Sequence, residues 1–270
     1  MSDGASSPPY GPPGPGRPIG ANPSFVDLIT GGQPVFRGPA AADVPSELAI
    51  AHGTTVLGLK YSDGVVMAGD RRATEGYSIA DDKMDKVFPA DDLSAISIAG
   101  AAGQAVEIVK LFQLELEHYE KITGDRLSLE GKANRLGQMI RGNLPLAMQG
   151  LVVVPLFGGF DERRAHGRLF RYDVTGGRWE EEDYHANGSG GRPAKSTLKK
   201  RWKPGLSREE AVRVSVESLL DASQEDVATG GPDPTRGIFP LIYTITASGV
   251  DLVGDDDVRG AYEAVVEDRR

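Results

Sequence analysis

The chain has 270 residues, 39% of them hydrophobic, enough to build one large domain with a substantial core. Its 39 acidic residues outnumber 30 basic ones, which argues against nucleic acid or an anionic membrane surface as the main partner. It contains no cysteine, so disulfides, thiolate metal sites and a cysteine nucleophile are excluded. No apolar run approaches the ~18 residues that a spanning helix needs. The first residues also lack the basic start and apolar block of a secretory signal. A soluble, cytoplasmic protein is the expectation.

Residues 1–53 hold ten of the 18 prolines, in runs such as SSPPYGPPGPGRP. Proline and glycine at that density sustain neither helix nor sheet, so this segment is predicted to be extended. The patch SFVDLI at Ser24–Ile29 interrupts it, either as a chance apolar cluster or as a short docking segment. From Thr54 the pattern changes. TTVLGLKY, SDG and VVMAGD read as strand, tight turn and strand. With Tyr61 facing Val65, that hairpin sets Asp70 opposite Val56. KVFPADDLSAISIAG predicts a second hairpin around Pro89–Asp92 that runs into Gly100. Helical spacing follows at 101–122, with Val109, Phe112, Leu116 and Tyr119 on one face. A second helix is predicted over about 127–149, striped by Leu129, Ala133, Leu136 and Ile140, with Pro145 as its kink or end. LVVVPLFGGFD, GRLFRYDV and GRWEEEDYHANG each predict a strand. SREEAVRVSVESLLDASQ opens with a capping box, Ser207 to Glu210, and predicts an amphipathic helix. GIFPLIYTITASGVDLV predicts a last hairpin turning at Ser248-Gly249. Runs of strands and of helices, rather than strict alternation, point to an α+β layered domain.

Little of the usual catalytic vocabulary is present. His52, His118, His166 and His185 form no metal-ligating spacing, and His118 lies among glutamates as a solvated surface residue. NGSGG at Asn187–Gly191 lacks the spacers of a serine nucleophile elbow. KSTLKKRWK at Lys195–Lys203 reads as a solvated helix face or a subunit contact rather than a nucleic-acid site.

The junction HGTT carries the chemistry. A threonine hydroxyl is a poor nucleophile until a base takes its proton. An N-terminal threonine has its own base, an α-amine of reference pKa ~7.7–8.0 a few bonds from Oγ1. Inside a peptide the same nitrogen is an amide and cannot serve. A cut between Gly53 and Thr54 therefore creates the catalyst, and Gly53 would give the turned backbone that self-attack requires. Asp70, near Thr54 through the hairpin, and Lys86, opening the next strand, are candidate supporting charges. A buried ammonium beside Thr54 favours the deprotonated hydroxyl and a neutral amine. Gly100, just before the first helix, offers a backbone N–H to an oxyanion with the helix dipole behind it.

These residues resemble the proteasome β-subunit family in its bacterial, actinobacterial-type form. The matching motifs are HGTT, GDRRAT at Gly69–Thr74, DKVF at Asp85–Phe88, SIAGAAGQA at Ser97–Ala105, GSG at Gly188–Gly190 and DVATGGPD at Asp226–Asp233. The resemblance covers essentially all of residues 54–270 and makes residues 1–53 a propeptide removed on maturation. It implies a four-layer αββα sandwich of the N-terminal-nucleophile hydrolase type and a threonine endopeptidase without cofactor or metal. Thr54 is then nucleophile and base, Asp70 and Lys86 the charged pair, and Gly100 the oxyanion donor. Ser189 and Asp226 hydrogen-bond around the amine. Thr229 stands where many relatives carry serine, and the hydroxyl is kept. Thr74 and Ala102 would hold substrate backbone as an added strand. Ala73, Met84, Ile98 and Val106 would line an apolar pocket for the residue before the cut. The implied assembly is four stacked seven-membered rings, two β between two α, fed by an AAA+ ATPase ring with unfolded, Pup-tagged proteins. GSGG is also similar to the simpler two-ring bacterial threonine protease, but that subunit is shorter and normally lacks a long leader. An inactive structural ring subunit and a monomeric amidohydrolase of the same fold are the alternatives.

Overall fold

The computed structural model describes residues 53–75 and 78–270. The propeptide expected at 1–53, its SFVDLI patch and His52 otherwise lie outside the described residues. Two five-stranded sheets form the centre. The first has the order β10-β1-β2-β11-β12, built from β1 (Thr55–Tyr61), β2 (Gly64–Gly69), β10 (Tyr184–Gly188), β11 (Leu241–Thr246) and β12 (Gly249–Leu252). The second has the order β5-β6-β7-β8-β9, from β5 (Val87–Asp91), β6 (Ser94–Gly100), β7 (Val153–Asp161), β8 (His166–Tyr172) and β9 (Arg178–Glu181). A ribbon of β3 (Ala73–Glu75) and β4 (Ser78–Asp81) stands apart.

Three apolar layers make this a four-layer αββα sandwich. Val56, Val65, Met67, Leu156 and Leu169 fill the space between the sheets. Leu57, Leu59, Val66 and Ala68 face the other way, onto α4 (Gly191–Arg201), α5 (Arg208–Glu225) and α6 (Asp255–Asp268). The second sheet buries Ile96, Phe157 and Phe170 under α1 (Ala102–Thr123) and α2 (Leu129–Gly142). Strands covered on both faces have no solvent side, which is why TVLGL and VVMAG read as unbroken apolar runs.

Four expectations change. The first hairpin pairs Tyr61 with Gly64 and Val56 with Gly69, one residue away from the expected register. Its loop is only Ser62-Asp63; Gly64 belongs to β2, where a Cβ would stand 1.8 Å from the Ile245 carbonyl oxygen of β11. GRWEEEDYHANG is two strands: β9 edges the second sheet and β10 crosses to pair with β1 in the first. The second long helix stops at Gly142, and Pro145 sits in the first turn of a short α3 (Leu144–Ala147), where a proline lacks no needed donor. The chain also ends in a helix, α6, with Asp255, Asp256 and Asp257 at its positive N-terminal end. The α1 stripe buries Val109, Phe112 and Leu116, while Tyr119 is exposed. The Ser207–Glu210 capping box forms as expected.

Candidate active site

Thr54 immediately precedes β1 and Thr55 opens it, where the strand runs between β10 and β2. The register brings Asp70 beside Thr55: the Asp70 N–H donates to the Thr55 carbonyl at 3.0 Å, and the Thr55 N–H donates to Asp70 Oδ1 at 2.7 Å. Lys86 immediately precedes β5, and its carbonyl is fixed by the Ile98 N–H at 2.9 Å. Its side chain turns inward and is 3% exposed, while Asp70 is fully buried. The ammonium donates to Asp70 Oδ1 at 2.8 Å, to the Arg72 carbonyl and to the Gly53 carbonyl at 3.3 Å. Burial pushes the Lys86 ammonium below its ordinary range, and the Asp70 carboxylate opposes that fall by charge and hydrogen bond.

Thr54 is buried, and its hydroxyl donates to the Gly53 carbonyl at 2.7 Å. Its N–H donates to Ser189 Oγ at 3.2 Å. Ser189 donates in turn to Asp226 Oδ2 at 2.5 Å, so Asp226 reaches the Thr54 nitrogen through Ser189 and not directly. The Thr229 hydroxyl donates to the same carboxylate oxygen at 2.6 Å. Gly53 fits because a Cβ there would stand 1.7 Å from that of Ala228. Close packing is thus a reason for the glycine in addition to any turn. The Gly53 N–H donates to Thr74 Oγ1 at 3.3 Å, which ties β3 to the residue before Thr54.

A cleft opens at this point. Gly53, Thr54, Ala73, Met84, Ile98, Gly100, Ala102 and Val106 line it, joined by Phe88 and Ala105, which sequence reasoning missed. Both followed a visible period: Phe88 is two residues beyond Lys86 on β5, and Ala105 one turn beyond Ala102 on α1. Gly100 ends β6 with φ 128°, and a Cβ there would stand 2.0 Å from the Val152 carbonyl oxygen. Only glycine suits that corner, and α1 begins two residues later, its first turns lining the cleft through Ala102, Ala105 and Val106. All the candidate residues are therefore gathered around Thr54. Arg72 and Thr55 were missed. Arg72 braces the loop after α5 by donating from Nη1 to the Val227 carbonyl at 2.9 Å, and its N–H donates to Asp70 Oδ2 at 2.9 Å. Among the described residues no cluster of His, Asp or Glu could hold a metal, and no helix is long and apolar enough to cross a membrane.

Comparison with known proteins gives the family. The family described as proteasome subunit matches residues 50–233, more than half of the chain. The chain belongs to the proteasome subunit family. A proteasome subunit beta of Acidimicrobium ferrooxidans is 57% identical over 217 residues, 80% of each chain. Those of Frankia casuarinae and Frankia alni are each 47% identical over 247 residues, 91% of this chain and 90% of theirs. Within the proteasome family it is thus β subunits that this chain is similar to, across nearly its whole length.

Proposed function

We propose that this chain is the catalytic β subunit of a proteasome core particle, a threonine endopeptidase activated by its own cut between Gly53 and Thr54. One arrangement carries the reading. The Thr54 hydroxyl and the buried Lys86 ammonium converge on the carbonyl of the bond to be cut, at 2.7 and 3.3 Å.

The cut turns the Thr54 nitrogen into a primary amine. That amine accepts the Oγ1 proton, directly or through one water, while Oγ1 attacks the substrate carbonyl carbon. The Lys86 ammonium stabilises charge on Oγ1, and Asp70 keeps it in place. The charge that moves to the carbonyl oxygen meets the Gly100 N–H and the positive end of α1. The tetrahedral intermediate collapses to an ester on Thr54, and the leaving amine takes the proton held by the α-amine. A water deprotonated by the same amine then hydrolyses the ester. The apolar lining of Ala73, Met84, Ile98 and Val106 selects apolar side chains before the cut, and Thr74 and Ala102 hold the substrate strand.

In this reading the subunit works in the cytoplasm within four stacked seven-membered rings, its Thr54 facing an enclosed chamber. An AAA+ ATPase ring, acting through the α-rings, feeds that chamber with unfolded, Pup-tagged chains. The names of its relatives support the assembly with α and β subunits. N-terminal sequencing of the assembled particle tests the reading, with a chain beginning at Thr54 as the expected result. Thr54→Ala should retain the leader and lack peptide cleavage. Particles that cleave peptides while every chain still begins at Met1 would overturn it.

A further inference from the structure

Thr55 lies beside the machinery just described, and nothing in that account uses its side chain. It is fully buried, as is Thr229. The two hydroxyls meet at 2.7 Å across 174 residues of sequence. The direction of this bond follows from its neighbours. Thr229 has one hydroxyl proton and gives it to Asp226 Oδ2 at 2.6 Å. The bond between the two threonines must therefore be donated by Thr55. Ser189 also has one proton; its contact with Asp226 is 2.5 Å, against 3.4 Å to the Thr54 carbonyl, so it too gives to the carboxylate. Ser189 is left to accept from the Thr54 nitrogen at 3.2 Å. Four bonds thus run in fixed directions: Thr55 to Thr229, Thr229 to Asp226, Ser189 to Asp226, and the Thr54 nitrogen to Ser189. The packing is close, since a Cβ on Gly190 would stand 2.3 Å from Thr55 Oγ1 and 2.8 Å from Thr229 Oγ1.

The geometry points to Thr55 as a positioning residue that, through its hydroxyl, tunes how readily the Thr54 α-amine holds a proton. The inference rests on the proposed role of that amine as the base. The chain of bonds runs from the buried pair Thr55 and Thr229 out to a half-buried Asp226 and an exposed Ser189, and along it each hydrogen bond polarises the next. Donation from Thr55 makes Thr229 a better donor and draws negative charge on Asp226 toward it. Asp226 then pulls less on the Ser189 proton, and Ser189 is a weaker acceptor. An ammonium gains more from a strong acceptor than a neutral amine does. Thr55 therefore favours the neutral, competent amine. The other charges around Thr54 are Lys86 before β5, Asp70 after β2, Arg72 before β3, Asp85 beside Lys86 and Asp226 after α5. Substitution at Thr55 leaves all of them in place.

Thr55→Val keeps the shape and β-branching and deletes the donor. In assembled particles cleaving a fluorogenic peptide, the acid limb of kcat/KM is expected to move up by about half a pH unit, a fraction of one hydrogen bond. Near pH 7 that lowers kcat/KM about threefold, because the neutral fraction falls tenfold per unit below the amine pKa. Above the limb the variant and wild-type rates should converge. Thr55→Ser restores the donor and should restore the wild-type limb. Should Thr55→Val fail to assemble, Thr55→Ala makes the same comparison with added space in place of a methyl. An acid limb unmoved in the hydroxyl-less variants, or a rate lost equally at every pH, would overturn the inference and leave a packing role. An active Thr54→Ala particle would instead overturn the assignment of Thr54 as nucleophile, and with it the proposed function, so the two failures are distinguishable.

Discussion

Asp70→Asn separates the group that holds the ammonium from the ammonium itself. Asp70 accepts from the Thr55 N–H at 2.7 Å and Lys86 at 2.8 Å on Oδ1, and from the N–H groups of Arg72 and Gly230 at 2.9 Å on Oδ2. Asparagine keeps the shape but has one acceptor oxygen, and its NH2 must face donors. It also strands Lys86, 3% exposed, without a counter-charge. Breaking a buried pair from one side costs about 3–5 kcal/mol. Lys86→Met is the gentler change, because the carboxylate keeps three backbone N–H donors. We expect it to be milder than Asp70→Asn by at least about 1–2 kcal/mol, the cost of leaving a buried polar group unsatisfied. The double variant should recover part of the Asp70→Asn loss, since no orphaned cation remains. For a domain of this size, 3–5 kcal/mol lowers Tm by roughly 6–20 °C. Calorimetry of the purified full-length chains reads the order, with leader removal and peptide cleavage followed in parallel. Both single variants should keep the leader and lack cleavage. A Lys86→Met chain as unstable as Asp70→Asn, or a double variant worse than either, would refute the reasoning.

Gly100→Ala places a Cβ 2.0 Å from the Val152 carbonyl oxygen at φ 128°; kcat should fall by at least about 10²-fold, the usual effect of losing an oxyanion donor. Unchanged peptide hydrolysis would remove the Gly100 N–H from that role. Ala105→Phe fills the cleft from α1 and should cut kcat/KM for peptides with a large apolar residue before the scissile bond by about tenfold or more relative to alanine. Equal losses for both peptides would dissociate this cleft from specificity. Burial, then the Lys195 charge, hold the His185 imidazole below its usual 6.5 against the pull of Glu181. A depressed folded value means that the stabilising contribution is full above about pH 6.5 and is lost as pH falls through the folded value. His185→Gln should flatten Tm against pH in that window, and an already flat wild-type curve would contradict this account.

Most strands and the long helices of the fold were legible; the β3–β4 ribbon, the division of β9 from β10, the C-terminal helix and the registration of the strands were not. TVLGL and VVMAG announce strands, but each side chain is buried on one face or the other. No polar position marks parity, so a one-residue slip of the hairpin costs nothing in pattern. The structure resolves it by Gly64, whose close approach to β11 is invisible in a single chain. The run EEED hid a change of sheet because β9 is an edge strand with exposed Trp179 and Glu180. Thr54, Asp70 and Lys86 were legible because their side-chain chemistry is specific and each lies at a strand end. Arg72 and Thr55 were not. Arg72 acts largely through its backbone N–H and carbonyl, which every residue has, and Thr55 acts through a contact 174 residues away.

On the proposed function, the same contacts give a physical reason for the uncut chain to be silent. The three protons of the Lys86 ammonium go to Asp70, the Arg72 carbonyl and the Gly53 carbonyl. The Thr54 hydroxyl gives its own proton to the Gly53 carbonyl, and its nitrogen, being an amide, has no lone pair to offer. One carbonyl therefore occupies both the Thr54 hydroxyl and the Lys86 ammonium. On the proposed reading, the cut frees the Lys86 donor and the Thr54 hydroxyl together and converts the adjoining nitrogen into a base. A cut after any residue other than Gly53 would leave that nitrogen an amide still. The position of the cut, rather than the content of the leader, is then what decides activity, and a chain cut one residue early should be as inert as the precursor.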